Sequence, residues 1–234
     1  MSRINTALQP GNAQVVGSFA QLDELLAADP VKIAAECDVV ELRLDLYGLD
    51  VAGLGKRPWA HLTGLPLLFT ARRGDEGGAG NLSASQRIAL LEACLPDAAM
   101  LDIEVASIHE MPDLLAKLRD LQIPWVASFH DFKGLPEPAR LQGALLQAKV
   151  SGAAAFKAAV RITHPSQLAE LAEFQEEDHG LPVASMGMGP LAPTSRLLCA
   201  QCGSVLNYGY LGSVPTAPGQ WPASLLKQAV SRLG

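Results

Sequence analysis

Lys157 stands in the middle of a short apolar run, Ala153-Ala154-Ala155-Phe156-Lys157-Ala158-Ala159-Val160. On a strand, Ala155 and Ala159 fall on the lysine's own face, two positions away on either side, and leave space for a ligand beside the amine. Burial disfavours the ammonium, lowers the pKa and makes the neutral amine available to attack a carbonyl. The same lysine would also fit a side chain snorkelling from a strand end or paired with a buried carboxylate. A second group with useful chemistry, His130, belongs to the His-Asp pair that ends the run Pro124-Trp125-Val126-Ala127-Ser128-Phe129-His130-Asp131 and can move protons near neutral pH. Arginines suited to holding a carboxylate complete the repertoire.

These residues need a frame that brings them together. Apolar or alternating runs suggest eight strands: 14–19, 39–45, 66–72, 99–105, 124–131, 153–160, 181–187 and 204–210. Each is followed by a helix-like segment. Leu22, Leu25 and Leu26 follow the first; Ile88, Leu91 and Leu95 follow the third; Met111, Leu114, Leu115, Leu118 and Leu121 follow the fourth. Pro138–Lys149 follows the fifth, Leu168, Leu171 and Phe174 the sixth, Arg196–Cys202 the seventh, and Leu225, Leu226, Val230 and Leu233 the eighth. No linker-like composition break interrupts this alternation, so the expectation is one domain, residues 1–234, folded as an α/β (β/α)8 TIM barrel. In that fold functional side chains gather at the C-terminal ends of the strands. Glu41, Arg43, Arg72, Glu76, Glu104, His130, Lys157, Met186 and Gln220 all lie late in strands or just beyond them. Glu41, Arg43 and Asp45 alternate with Val40, Leu42 and Leu44, which would turn a charged triplet into the barrel, where it needs mutual pairing or a polar ligand.

Composition removes other classes. A net charge of −6 argues against nucleic acid or an anionic membrane as the main partner. No apolar run approaches the ~20 residues of a membrane span, and residues 1–12 are polar, without a signal-like apolar region. The four cysteines, Cys37, Cys94, Cys199 and Cys202, are scattered, as expected of a cytoplasmic protein. The spacing of Cys199 and Cys202 resembles a redox pair, but it falls late in a helix with no companion pair. With His61, His109, His164 and His179 away from the strand ends, no metal site is expected. The glycines at 74–80 lack the lysine and hydroxyl residue of a phosphate loop.

Taken as a set, Glu41-Leu42-Arg43-Leu44-Asp45, Phe69-Thr70-Ala71-Arg72, Glu76-Gly77-Gly78, Asp102-Ile103-Glu104, Ser128-Phe129-His130-Asp131, Phe156-Lys157, Ser185-Met186-Gly187, Ser195-Arg196 and Ala217-Pro218-Gly219-Gln220 resembles type I 3-dehydroquinate dehydratase. The motifs run in the family's order over nearly the whole chain. The resemblance implies a lyase of the shikimate pathway, needing no metal or other cofactor, that converts 3-dehydroquinate to 3-dehydroshikimate. It implies Lys157 as the Schiff-base residue, His130 as general base and acid, and Glu76 as the carboxylate that orients the histidine. It further implies Arg196 and Gln220 on the substrate carboxylate, Glu41, Arg43 and Arg72 on the ring hydroxyls, Met186 as a wall, and a homodimer. Asp45 and Asp102 are expected to neutralise arginines.

Three departures from the family pattern stand out. Thr216 occupies a position that usually carries serine, which keeps the hydroxyl and adds a methyl group. The segment from Met186 to Arg196 is about two residues longer than usual and contains Pro190 and Pro193. The N-terminal extension is short, which implies a reduced hairpin under the barrel. Other chemistries remain open to the same residues: a class I aldolase, which also uses a barrel lysine, or a barrel that binds without turnover. The Arg196 and Gln220 pairing favours a cyclic carboxylate over a sugar phosphate, and an intact nucleophile beside a base is superfluous in a pure binder.

Overall fold

In the computed structural model, residues 8, 9 and 11–233 are described. The N-terminal segment, where a reduced hairpin is expected, lies largely outside them. Eight parallel strands form one sheet: β1 (Gln14–Phe19), β2 (Val39–Arg43), β3 (Leu67–Thr70), β4 (Met100–Glu104), β5 (Trp125–Asp131), β6 (Ala155–Arg161), β7 (Val183–Met188) and β8 (Leu206–Leu211). Their order is β7-β6-β5-β4-β3-β2-β1-β8, so each strand lies beside its sequence neighbour and β8 returns to β1. Six residue pairs register β8 against β1. Between β7 and β8 no ladder forms, yet Val205 N–H donates to Val183 O at 3.1 Å and closes the base of the seam. The result is a nearly closed (β/α)8 TIM barrel.

Nine α-helices occur among the described residues: α1 (Leu22–Leu26), α2 (Pro30–Glu36), α3 (Val51–Gly55), α4 (Ala84–Cys94), α5 (Pro112–Asp120), α6 (Pro138–Val150), α7 (Pro165–Glu176), α8 (Ala192–Gln201) and α9 (Ala223–Val230). The expected start of α4 is met by a capping box, in which Ser83 and Gln86 each accept from the other's backbone N–H. Two differences from the sequence expectation have simple causes. Helix α8 begins four residues before Arg196, because Pro193 sits in its first turn, where proline's missing N–H costs nothing. Strand β2 ends at Arg43, and Leu44–Leu46 curl into a 3-10 turn. Asp45 leaves the ladder there to accept from the backbone N–H of Arg72 and of Ala79. Leu26, Leu121 and Leu225, expected on packed helix faces, are exposed; Leu25, Leu118 and Leu226 supply the contacts instead.

The barrel interior is layered, and the layers decide where chemistry can happen. Its floor is apolar and takes one side chain from each strand: Val16, Val39, Leu68, Met100, Val126, Ala155, Ala184 and Leu206. A strand turns alternate side chains to the same face, so the next inward positions are Ser18, Glu41, Thr70, Asp102, Ser128, Lys157, Met186 and Tyr208. One step higher come Arg43, Arg72, Glu104, His130, Ala159 and Met188. The intervening residues, such as Val40, Leu42, Phe69, Leu101, Ile103, Ala127, Phe156 and Ala158, pack outward against the helices. A dry floor below a polar layer places the polar groups at the C-terminal mouth.

Candidate active site

One cavity, about 480 Å³ with its mouth included, sits above the polar layer. Glu41, Arg43, Arg72, Glu76, His130, Lys157, Met186, Arg196, Thr216 and Gln220 all line it. Those are the ten residues expected from the sequence to act on or hold a ligand. His61, His109, His164 and His179 are absent from its walls. Sequence reasoning missed Tyr208, Phe132 and Met188, which also line it. Tyr208 and Met188 share the inward parity of their strands, a signal that counting alternate positions from Leu206 and Met186 would have supplied.

Lys157 is 4% exposed, and its Nζ lies 2.9 Å from Asp102 Oδ2 and 4.2 Å from the centre of the Tyr208 ring. Burial lowers its pKa by more than Asp102 and Glu41 raise it, and Arg72 adds to the lowering. The strand that carries it is walled by Ala155 and Ala159, so the amine has no bulky neighbour on its own face.

His130 Nδ1 lies 2.9 Å from Glu76 Oε2, and the same oxygen accepts from the His130 backbone N–H at 2.9 Å. With Nδ1 committed to the carboxylate, Nε2 is the nitrogen left for proton transfer. Burial, then the charges of Arg72 and Lys157, hold the imidazole well below its usual pKa, so it is a neutral base at physiological pH. Burial also pushes the Glu76 carboxyl up, to about 7, against the pull of Arg72.

The loop that presents Glu76 depends on two glycines. Gly77 has a left-handed φ of 87°, and a Cβ there would stand 2.6 Å from the Phe132 ring. At Gly78 a Cβ would fall 2.0 Å from the carbonyl oxygen of Arg72, which backbone cannot yield. The Glu-Gly-Gly motif is thus a packing requirement that sets the carboxylate beside the histidine.

The acids of the barrel are already engaged. Asp45 grips Arg43 at 2.9 and 2.7 Å through both oxygens. Glu104 bonds Arg72 at 2.9 Å and Arg87 at 3.0 Å. Asp102 lies 2.9 Å from Arg72 and accepts from Ser128 Oγ at 2.5 Å. Burial would raise the Asp102 carboxyl, but Arg72 and then Lys157 outweigh it and hold the group ionised. Glu41 accepts from Thr70 Oγ1 at 2.8 Å and from Ser18. Asp45 therefore does as expected of it, whereas Asp102 serves an arginine and the lysine at once. Among the described residues, no group of three or more His, Cys, Asp or Glu side chains is gathered as a metal ion would need.

Arg196 differs from the other arginines. It reaches from α8 into the gap between β7 and β8, where Nη1 donates to Tyr208 O at 2.8 Å and approaches Met186 Sδ at 3.4 Å. It is 2% exposed, and among the described residues its Nε has no hydrogen-bond partner and no carboxylate pairs with it. Burial without an anion lowers its pKa to about 10. A buried guanidinium in this condition is matched to an anionic ligand. Over it lies the loop after β8, where Gln220 Oε1 accepts from both N and Oγ1 of Thr216 at 2.9 Å. Gly189 N–H donates to Pro218 O at 3.1 Å and ties that loop to the one after β7.

The comparisons with known proteins agree with one another. A family profile described as type I 3-dehydroquinase matches residues 18–234. The 3-dehydroquinate dehydratase of Methanothrix thermoacetophila is 33% identical over 217 residues, covering 89% of this chain and 90% of that protein. That of Methanocella arvoryzae is 30% identical over 221 residues, covering 94% and 97%. Among solved structures, 3-dehydroquinate dehydratase from Geobacillus kaustophilus superposes with a TM-score of 0.83 at 26% identity, covering 95% of this chain and 90% of that one. The Enterococcus faecalis enzyme gives 0.81 at 26% identity, covering 97% and 98%. With this profile spanning nearly the whole barrel, the chain belongs to the type I 3-dehydroquinase family of carbon–oxygen lyases.

Proposed function

We propose that this chain removes water from 3-dehydroquinate to give 3-dehydroshikimate, as a step of the shikimate pathway, through a Schiff base on Lys157. The observation that carries this reading is the company kept in one small cavity. A desolvated lysine and a histidine held neutral face a guanidinium with which no carboxylate of the described residues pairs. The neutral Lys157 amine adds to the C3 ketone, and loss of water leaves an iminium that withdraws electrons from C2. His130, oriented by Glu76, takes the C2 proton and returns a proton to the hydroxyl leaving C1. Hydrolysis of the product iminium frees Lys157, so the net change is the loss of one water. Arg196 and Gln220 hold the substrate carboxylate, Glu41, Arg43 and Arg72 bound the ring, and Met186 forms a wall. The Thr216 hydroxyl anchors Gln220, and the loop above the cavity excludes water from the iminium. Incubating the purified protein with 3-dehydroquinate tests the reading: absorbance of a conjugated enone should grow, and its absence at any protein concentration would rule the reaction out.

Arg196→Met should raise KM about 10- to 100-fold, the equivalent of losing a charge-assisted hydrogen bond of about 1.5–3 kcal/mol, with a smaller effect on kcat. Steady-state kinetics beside a melting curve reads this; an unchanged KM in a folded variant would remove Arg196 from the carboxylate site. The homodimer rests on the family resemblance, and light scattering after size exclusion should give about twice the 24.7 kDa chain mass, a monomer mass contradicting it. Among the described residues no helix is long and apolar enough to cross a membrane. All four cysteines are free, in keeping with the cytoplasm, which cell fractionation would test.

A further inference from the structure

Lys157 does not meet its partners by accident of a flexible side chain. Asp102 Oδ2 is 2.9 Å from Nζ, while Oδ1 of the same carboxylate is fixed by Arg72 at 2.9 Å and by Ser128 Oγ at 2.5 Å. The carboxylate is 1% exposed and cannot swing away to water. On the β8 side, the Tyr208 ring lies 4.2 Å from the same nitrogen, within the range at which an aromatic quadrupole attracts a cation. We propose that Asp102 is the fixed counter-ion of the substrate iminium, holding the positive charge on the Lys157 nitrogen against the face of Tyr208 whenever that nitrogen is charged. This rests on the Schiff-base reading above and goes beyond the roles of Lys157, His130 and Glu76.

The charge of that nitrogen changes sharply during the cycle. It is positive in the resting ammonium, neutral in the attacking amine and positive again in the iminium. In the condensation a C–N bond forms and the ketone C–O bond breaks. The oxygen leaves as water, carrying one proton from the nitrogen and one from solvent, and no electrons are transferred to an outside acceptor. A rigid carboxylate favours both positive states over the neutral one. It therefore slows release of the ammonium proton and speeds the steps that form an iminium: the condensation, and the loss of the C1 hydroxyl from the neutral enamine left when the C2 proton departs. Other groups face Lys157 as well: Glu41 from β2 acts with Asp102, Arg72 just beyond β3 acts against it, Arg43 at the end of β2 is paired with Asp45, neutral His130 stands on β5, Met186 on β7 is uncharged, and the Tyr208 phenol stays protonated.

Asp102→Asn separates the two effects, because they have opposite signs. Removing an opposite charge at this range should move the acid limb of borohydride trapping with 3-dehydroquinate about 1–3 pH units lower. At the same time kcat should fall roughly 10²-fold, as for other fixed electrostatic partners of a reacting centre. A group that only shapes the site would depress trapping and turnover together and leave the limb in place; that result, or no change in either, overturns the proposal. Arg72 keeps Glu104 and Ser128 when Asp102 becomes neutral, which favours folding of the variant. If it does not fold, Ser128→Ala decides: it removes a hydrogen bond from the carboxylate and leaves its charge, so the limb should move to higher pH, and an unmoved limb counts against the proposal. Failure of the wild-type protein to be trapped at any pH would instead sink the Schiff-base reading itself.

Discussion

Lys157→Ala should lower kcat for 3-dehydroquinate by roughly 10⁴-fold or more, the scale on which removing a covalent nucleophile acts in other enzymes. Among the described residues no other amine lines the cavity, so none of them can take over the condensation. The fold should survive. Asp102 keeps Arg72 and Ser128 after the lysine is gone, so no unpaired buried charge is created, and the floor of the barrel beneath is untouched. Enone absorbance read beside circular dichroism separates the two effects. A folded variant with turnover near the wild-type rate would take the chemistry away from Lys157.

His130→Ala should behave differently. Loss of the general acid and base costs about 10²- to 10⁴-fold in kcat, but the amine and the electron sink remain. The Schiff base can therefore form and then stall before the C2 proton leaves. Mass spectrometry after borohydride treatment should find more adduct at early times on the His130 variant than on the turning-over protein. The Glu76 carboxylate loses its imidazole partner in this variant and, with burial already pushing it up to about 7, takes up a proton near neutral pH. An adduct-free His130→Ala protein that still folds would mean that the histidine is needed for condensation and not only for proton abstraction.

The barrel was legible because alternation repeats on eight strands, and the site because its members end those strands in a recognisable order. What stayed hidden has a geometric cause in each case. Whether Asp45 or Asp102 meets the lysine depends on which strands face one another across the interior, and a linear pattern does not carry that. The alternation continues β2 to Asp45, yet that residue turns out of the ladder to collect two backbone N–H groups and Arg43. Arg196 reaches the cavity through the seam left by the missing β7–β8 ladder, and nothing in its helix foretells that gap. Tyr208 looks like ordinary strand packing until its inward parity sets it over the lysine. Arg196 stands four residues into α8, which begins at Ala192, and it lines the cavity with the other nine.

Most direct for the central claim is borohydride reduction of the protein in the presence of 3-dehydroquinate, followed by peptide mass spectrometry. The account predicts a stable substrate-derived mass increment confined to the peptide carrying Lys157 and absent when substrate is omitted. An active protein that acquires no adduct, or one modified at an outlying amine such as Lys133 while Lys157 stays free, would contradict it.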